Sequence, residues 1–191
     1  MRTETFTLWK KKALPDTVQV DGRAHAINTD FRVILKCFAV LADPDLLDGT
    51  KAALVCKYFF KDAAPEKWFD CFDSFVRLGN DRRPSNGGDP QFDYEFDAPE
   101  ILSSFQMLYR IDLLSENLHW WRFSILLDGC FRADCPLSEK IRLRSINPEK
   151  CEDPAAAREA KAAVQIPDRH GQNAMIEQEL LMRKLRGIKE E

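Results

Sequence analysis

Three carboxylates alternate with three aromatic side chains over residues 92–97. Strict alternation is typical of an extended segment, which would put Asp93, Glu95 and Asp97 on one face and the aromatic rings on the other. Clustered carboxylates are ligands for Mg²⁺ or Ca²⁺, so one interpretation is a small metal-dependent hydrolase. No EF-hand spacing accompanies them, and the pattern favours the alternative of a strand held by its aromatic residues with a solvated acidic edge.

Histidine and cysteine offer a second set of chemistry-bearing residues. A lone histidine beside two tryptophans, as at His119, is more often a hydrogen-bonded core residue than a base or ligand. A zinc site of His119, Cys130, Cys135 and Cys151 is conceivable, but the spacings match no zinc pattern. A P-loop, a dinucleotide fingerprint and a hydrolase elbow are all absent from the sequence. We therefore expect no cofactor, no metal and no enzymatic activity.

Composition restricts the class of protein further. The chain of 191 residues is 45% hydrophobic and contains thirteen phenylalanines, which is enough for a real core. Its net charge of −3 gives no basic footprint for nucleic acid and no attraction to a membrane surface. The first residues lack the apolar core of a signal peptide, and no apolar run approaches the ~20 residues of a membrane span. We expect a cytoplasmic protein with reduced cysteines.

The elements that would position these residues are mostly helices. Asp21-Gly22 between two short runs predicts a β-hairpin, because this pair supplies the positive φ angles of a two-residue turn. Asp30 is a suitable N-cap for the helix that follows. Helices are predicted over residues 31–42, 50–60, 65–78, 97–109, 116–131 and 136–147, with Gly79 ending the third, Ser115 or Asn117 capping the fifth and Ser138 capping the sixth.

The helix over residues 116–131 contains the adjacent pair Trp120-Trp121. On a helical wheel, Trp121 and Ile125 fall on one side, and Trp120 and Phe123 fall on nearly the opposite side. A helix that is apolar on two sides is covered on both. We predict a central helix in which both tryptophans are buried.

The character of the chain changes after residue 148. Residues 154–165 are rich in alanine, and residues 174–188 form an amphipathic helix with one narrow apolar strip. We predict a mainly α-helical fold: a domain over residues 1–150 with a small N-terminal β-hairpin, and a helical C-terminal extension over residues 151–191. The strip is a candidate for partner binding, although docking on its own core stays open; it consists of Ile176, Leu180, Leu181, Leu185 and Ile188.

Two blocks of sequence resemble the bacteriophage gene-product-fifteen family, which is encoded in the tail modules of long-tailed phages and prophages of Gram-positive bacteria. The first block includes Asp21-Gly22 and Thr29-Asp30-Phe31-Arg32. The second runs from residue 92 to residue 146 and is the more specific. Its signature residues are Asp112, His119, Trp120, Trp121 and Arg144.

The resemblance implies a non-catalytic role in tail morphogenesis. Genes of this kind lie between those of the major tail protein and the tape-measure protein. The implied function is a tail assembly chaperone that binds the tape-measure protein in the host cytoplasm, with other tail-assembly proteins and further copies of itself as possible partners. The alternatives are a structural tail component retained in the virion and the metal-dependent hydrolase described above.

Overall fold

A computed structural model describes residues 14–78 and 92–167 of the chain. This part is mainly α-helical with a small β-hairpin, as the sequence predicts. The elements in chain order are β1 (Thr17–Val20), β2 (Arg23–Ala26), α1 (Phe31–Ala42), α2 (Asp48–Phe59), α3 (Trp68–Val76), α4 (Ala98–Tyr109), α5 (Trp120–Cys130), α6 (Pro136–Ser145), a 3₁₀ turn (Pro148–Lys150) and α7 (Pro154–Ala163).

The hairpin has the turn that its sequence predicts. Strands β1 and β2 are antiparallel, and both turn residues have positive φ, 47° at Asp21 and 81° at Gly22. The inner face of β1 is buried. Beyond β2 the chain bonds to the end of α2, where the Asn28 N–H donates to the Phe59 carbonyl at 2.7 Å. The hairpin is therefore tied to the helical core rather than free, as a two-stranded sheet requires.

The start of α1 agrees with the prediction because a local side chain caps it, whereas the starts of α2 and α3 differ from their predicted positions. The Asp30 carboxylate accepts from the Arg32 N–H at 2.8 Å and caps α1 as predicted. Helix α2 begins two residues before the predicted start, and α3 begins at Trp68 rather than near residue 65. After α3 ends, Leu78 has a φ of 56°. The predicted cap Gly79 lies outside the described residues.

Helix α5 is shorter than predicted and begins at Trp120 instead of residue 116. Residues 113–115 form a turn, residues 116–118 have no regular secondary structure, and His119 is the N-cap in place of Ser115 or Asn117. Both tryptophans are buried, as predicted. The two-sided covering is nevertheless incomplete, because Ile125 is 43% exposed.

The core is built from aromatic rings of several helices. Phe31 of α1 stacks on Phe123 of α5 with ring centroids 4.5 Å apart, and Phe105 of α4 stacks on Phe123 at 5.3 Å. A second group of rings joins α2 to α3 and consists of Phe59, Phe72 and Phe75. Such burial of large rings is the main stabilising contribution in a domain of this size.

Helix α7 packs against α6 and the 3₁₀ turn. The domain boundary that we place near residue 150 stays a prediction. Among the described residues, no helix has the length and apolar character needed to cross a membrane.

Candidate functional site

The acidic segment does not have the predicted extended form. Residues 94–97 form a turn that leads directly into α4. The Asp93 carboxylate accepts from the backbone N–H groups of Glu95 and Phe96 at 2.9 and 2.6 Å, which is an Asx-type turn. Asp97 is fully buried, whereas Glu95 is exposed. The prediction of three carboxylates on one solvated face is therefore wrong, because the Asp93 side chain folds the segment back on itself.

Asp97 is the centre of a buried ion cluster. Its two carboxylate oxygens accept from Arg144 at 2.6 and 2.7 Å, and Lys140 lies 3.1 Å away. Burial alone would raise the pKa of Asp97, but hydrogen bonds from Arg144, the Asp93 N–H and Lys140 together lower it. Lys140 also pairs with Glu100 at 2.8 Å. The cluster joins the start of α4 to α6.

The Phe96 ring lies beneath both cations of this cluster. The Lys140 ammonium is 4.5 Å and the Arg144 guanidinium 5.5 Å from the ring centroid. Cation–π attraction adds to the ion pairs in a partly desolvated site. Because Arg144 already engages the carboxylate through two parallel bonds, the cluster acts as a structural joint.

The two signature tryptophans bind the end of α3. The Trp120 indole N–H donates to the Val76 carbonyl at 3.0 Å, and that of Trp121 donates to the Phe75 carbonyl at 2.8 Å. These carbonyls belong to the last turn of α3, where the regular helical hydrogen bonds end; the Phe75 carbonyl also accepts from the Leu78 N–H at 3.1 Å. The pair therefore holds α5 against the α3 terminus by hydrogen bonds as well as by ring burial.

His119 caps α5 and also binds the start of the described chain. Its Nδ1 accepts from the Trp121 N–H at 3.0 Å, so its Nε2 carries the hydrogen and donates to the Pro15 carbonyl at 3.0 Å. Burial lowers the pKa of His119, and the bond to Pro15 only partly opposes this. The interpretation of His119 as a hydrogen-bonded core residue agrees with this geometry.

Asp112 shapes the loop between α4 and α5. Its carboxylate accepts from the Leu114 N–H and from the Ser115 hydroxyl, each at 2.9 Å. Arg32 holds the same loop from α1 by donating to the carbonyls of Leu113 and Glu116 at 2.7 and 2.9 Å. The Asp112 side chain within the loop and the Arg32 side chain of α1 together fix the loop. Leu114 lies at its surface and is 77% exposed.

Several positioning residues were not identified from the sequence. Arg32 of α1 braces a loop more than eighty residues away along the chain. The Tyr109 hydroxyl donates to the Leu126 carbonyl at 2.9 Å and occupies the space beside Gly129 where a Cβ would lie. An isolated glycine inside a helical pattern was the available signal for this contact.

Among the described residues, the cysteines do not come together with His119 in the arrangement considered as a zinc site. Within residues 14–78 and 92–167, no three histidine, cysteine or acidic side chains come together as a metal site would require. Cys135 is the N-cap of α6, and its N–H donates to the Ser138 hydroxyl at 3.1 Å, so Ser138 completes the cap from inside the helix. The Cys135 thiol donates to the Cys130 carbonyl at 3.2 Å, and burial raises the pKa of Cys130 to about 11. These thiols pack as small core residues.

The signature residues are thus engaged within the domain at three separate places, and together with Asp97 we define them as the internal framework: Asp112, His119, Trp120, Trp121 and the Asp97–Arg144 pair. His119 and the tryptophans are adjacent, whereas Arg144 lies in the separate ion cluster. The predicted partner-binding residues lie outside the described residues; they are Ile176, Leu180, Leu181 and Leu185.

Comparison with known proteins agrees with the resemblance found in the sequence. A profile of the family described as Bacteriophage Gp15 protein matches residues 11–166. This range contains the whole internal framework. No match was found among curated proteins or among solved structures. The chain belongs to the Bacteriophage Gp15 protein family.

Proposed function

We propose that this phage-related protein is a non-catalytic tail assembly chaperone that binds the tape-measure protein during tail morphogenesis. The observation that carries the proposal is the family match over residues 11–166. The tail-module location implied by the resemblance supplies the specific role. The host cytoplasm is the compartment in which such a chaperone would act.

The internal framework supports a binding role over a catalytic one. Its polar atoms are engaged within the domain: Asp97 with Arg144, the indoles with α3, and His119 with its own helix and Pro15. Groups held in this way set the shape of the fold. A carboxylate that pairs with two cations is a poor candidate for a metal ligand or a general base.

A chaperone for a long helical protein needs an apolar contact surface. Helix-in-groove recognition reads residues spaced by three and four positions, which is the spacing of Leu181, Leu185 and Ile188 in the C-terminal strip. On the described domain, Leu114 is a further exposed apolar side chain on a loop that Asp112 and Arg32 hold in place. The C-terminal strip and Leu114 are two candidate contact surfaces, and a binding experiment on separate variants can distinguish their contributions.

The test is co-expression of the full chain with its tape-measure protein, followed by affinity capture. The parent chain should recover soluble tape-measure protein. A variant of the strip carrying serine at residues 176, 180, 181 and 185 should lose capture at unchanged melting temperature. The variant Leu114→Ser tests whether the loop between α4 and α5 also contributes to capture of the tape-measure protein. Failure of the parent chain to capture or solubilise the tape-measure protein would contradict the proposed function.

The alternative of a retained tail component makes a different prediction. A structural component would be present in purified virions at a fixed copy number, whereas a chaperone would be absent. Mass spectrometry of purified particles distinguishes the two.

A further inference from the structure

Helix α7 is attached to the domain differently from the helices before it. Each of α1 to α6 contributes at least two buried residues, whereas α7 contributes none. Its half-buried positions are mostly small, such as Ala157 and Ala160. Little apolar area is therefore removed from water when α7 docks, and the hydrophobic contribution to its attachment is small.

Polar links attach α7 and its C-cap residue Val164 to the domain. Arg144 donates through Nε to the Val164 carbonyl at 2.6 Å, and Lys161 donates through Nζ to the Ile146 carbonyl at 3.1 Å. Arg158 pairs with Glu149, and both side chains are more than half exposed, at 60% and 68%. Exposed ion pairs contribute little to stability and are weakened by salt.

The position of Arg144 allows α7 to leave without breaking the core. The bonds from Arg144 to Asp97 use Nη1 and Nη2, whereas the bond to Val164 uses Nε. Separation of α7 exposes Nε to water, which can replace the carbonyl as its acceptor. The ion pair between α4 and α6 remains in place.

We propose that α7 is a detachable strap, defined as residues 154–163, which opens by local unfolding while the remaining domain stays folded. A helix of ten residues is marginal by itself in water, so the undocked strap unwinds. Opening frees residues 151–167 from the domain, and the C-terminal strip follows these residues in the sequence. The link between opening and partner binding rests on the proposed function, whereas the opening itself does not.

Hydrogen exchange of the full chain, measured by mass spectrometry, tests the strap directly. Amides of α7 should be roughly a hundredfold less protected than those of α4 and α5, because local opening needs less free energy than global unfolding. Added salt should lower the protection of α7 alone. Arg158→Met should lower the protection of the α7 amides by roughly threefold, because a surface ion pair contributes only a small stabilisation.

The matched control is Arg142→Met on α6. Arg142 pairs with Glu139 at 2.6 Å, both side chains are about half exposed or more, and this pair does not link α6 to α7. The control should leave α7 exchange unchanged. Protection of α7 equal to that of α5, or equal effects of the Arg142 and Arg158 variants, would overturn the proposal. Because no tape-measure protein is present, this result is independent of the capture experiment.

Discussion

Removing the charge of Asp97 should destabilise the protein strongly. Asp97→Asn keeps the shape of the side chain but leaves Arg144 and Lys140 facing a neutral amide. Asp97 is fully buried, and the Arg144 side chain is 5% exposed, so water cannot readily solvate the abandoned cation. Breaking a buried pair from one side costs about 3–5 kcal/mol. For a chain of this length, that corresponds to a melting temperature lower by roughly 6–20 °C.

The assay is urea unfolding of the parent, Asp97→Asn, Arg144→Met and the double variant. The double variant should lose less free energy than the sum of the single losses, with a coupling of about 1–3 kcal/mol. The exposed pair of Glu139 and Arg142 provides the matched control cycle, in which the coupling should be much smaller because water screens both side chains. An Asp97→Asn variant within about 1 kcal/mol of the parent, or equal couplings in the two cycles, would refute the reasoning.

Further predictions concern the core, pH and metal. Trp120→Ala and Trp121→Ala should each cost roughly 3–5 kcal/mol in urea unfolding, and a melting temperature within a degree or two of the parent would contradict this. Gly129→Ala should destabilise by displacing the Tyr109 hydroxyl, but should become neutral or stabilising in a Tyr109→Phe background, as double-variant unfolding would reveal. Because the folded-state pKa of Asp97 is lowered, its stabilisation is complete above its unfolded pKa of about 4 and disappears as pH falls through the folded value; the acid limb of a stability–pH curve should flatten in Asp97→Asn. Elemental analysis should find no stoichiometric zinc, and EDTA should leave the melting curve unchanged.

Local chemistry made part of the fold predictable. Asp21-Gly22 determines its turn through backbone φ alone, and Asp30 caps α1 with an oxygen two residues from its donor. The burial of Trp120 and Trp121 follows from their size and from the apolar residues around the helix. The turn and the cap need no partner distant in sequence, whereas the carbonyls that the two indoles bind lie more than forty residues away.

The rest depends on distant partners or on unusual caps. Alternation over residues 92–97 predicts a strand, but the Asp93 side chain folds the segment into a turn, and Asp97 at the end of that turn pairs with Arg144, 47 residues away. His119 caps α5 with an imidazole nitrogen rather than the usual hydroxyl or carboxylate, so the predicted start of the helix was too early. The brace from Arg32 likewise crosses from α1 to a loop that follows α4.

The central claim is that the chain accompanies the tape-measure protein during assembly and leaves before the tail is complete. The most direct measurement is quantitative mass spectrometry of tail-assembly intermediates and of finished particles from the same phage. The proposed function predicts that this chain co-purifies with the tape-measure protein in the intermediates and is absent from the particles. The claim would be contradicted if this chain were present in finished particles at a constant copy number. It would also be contradicted if the chain were absent from every intermediate that contains the tape-measure protein.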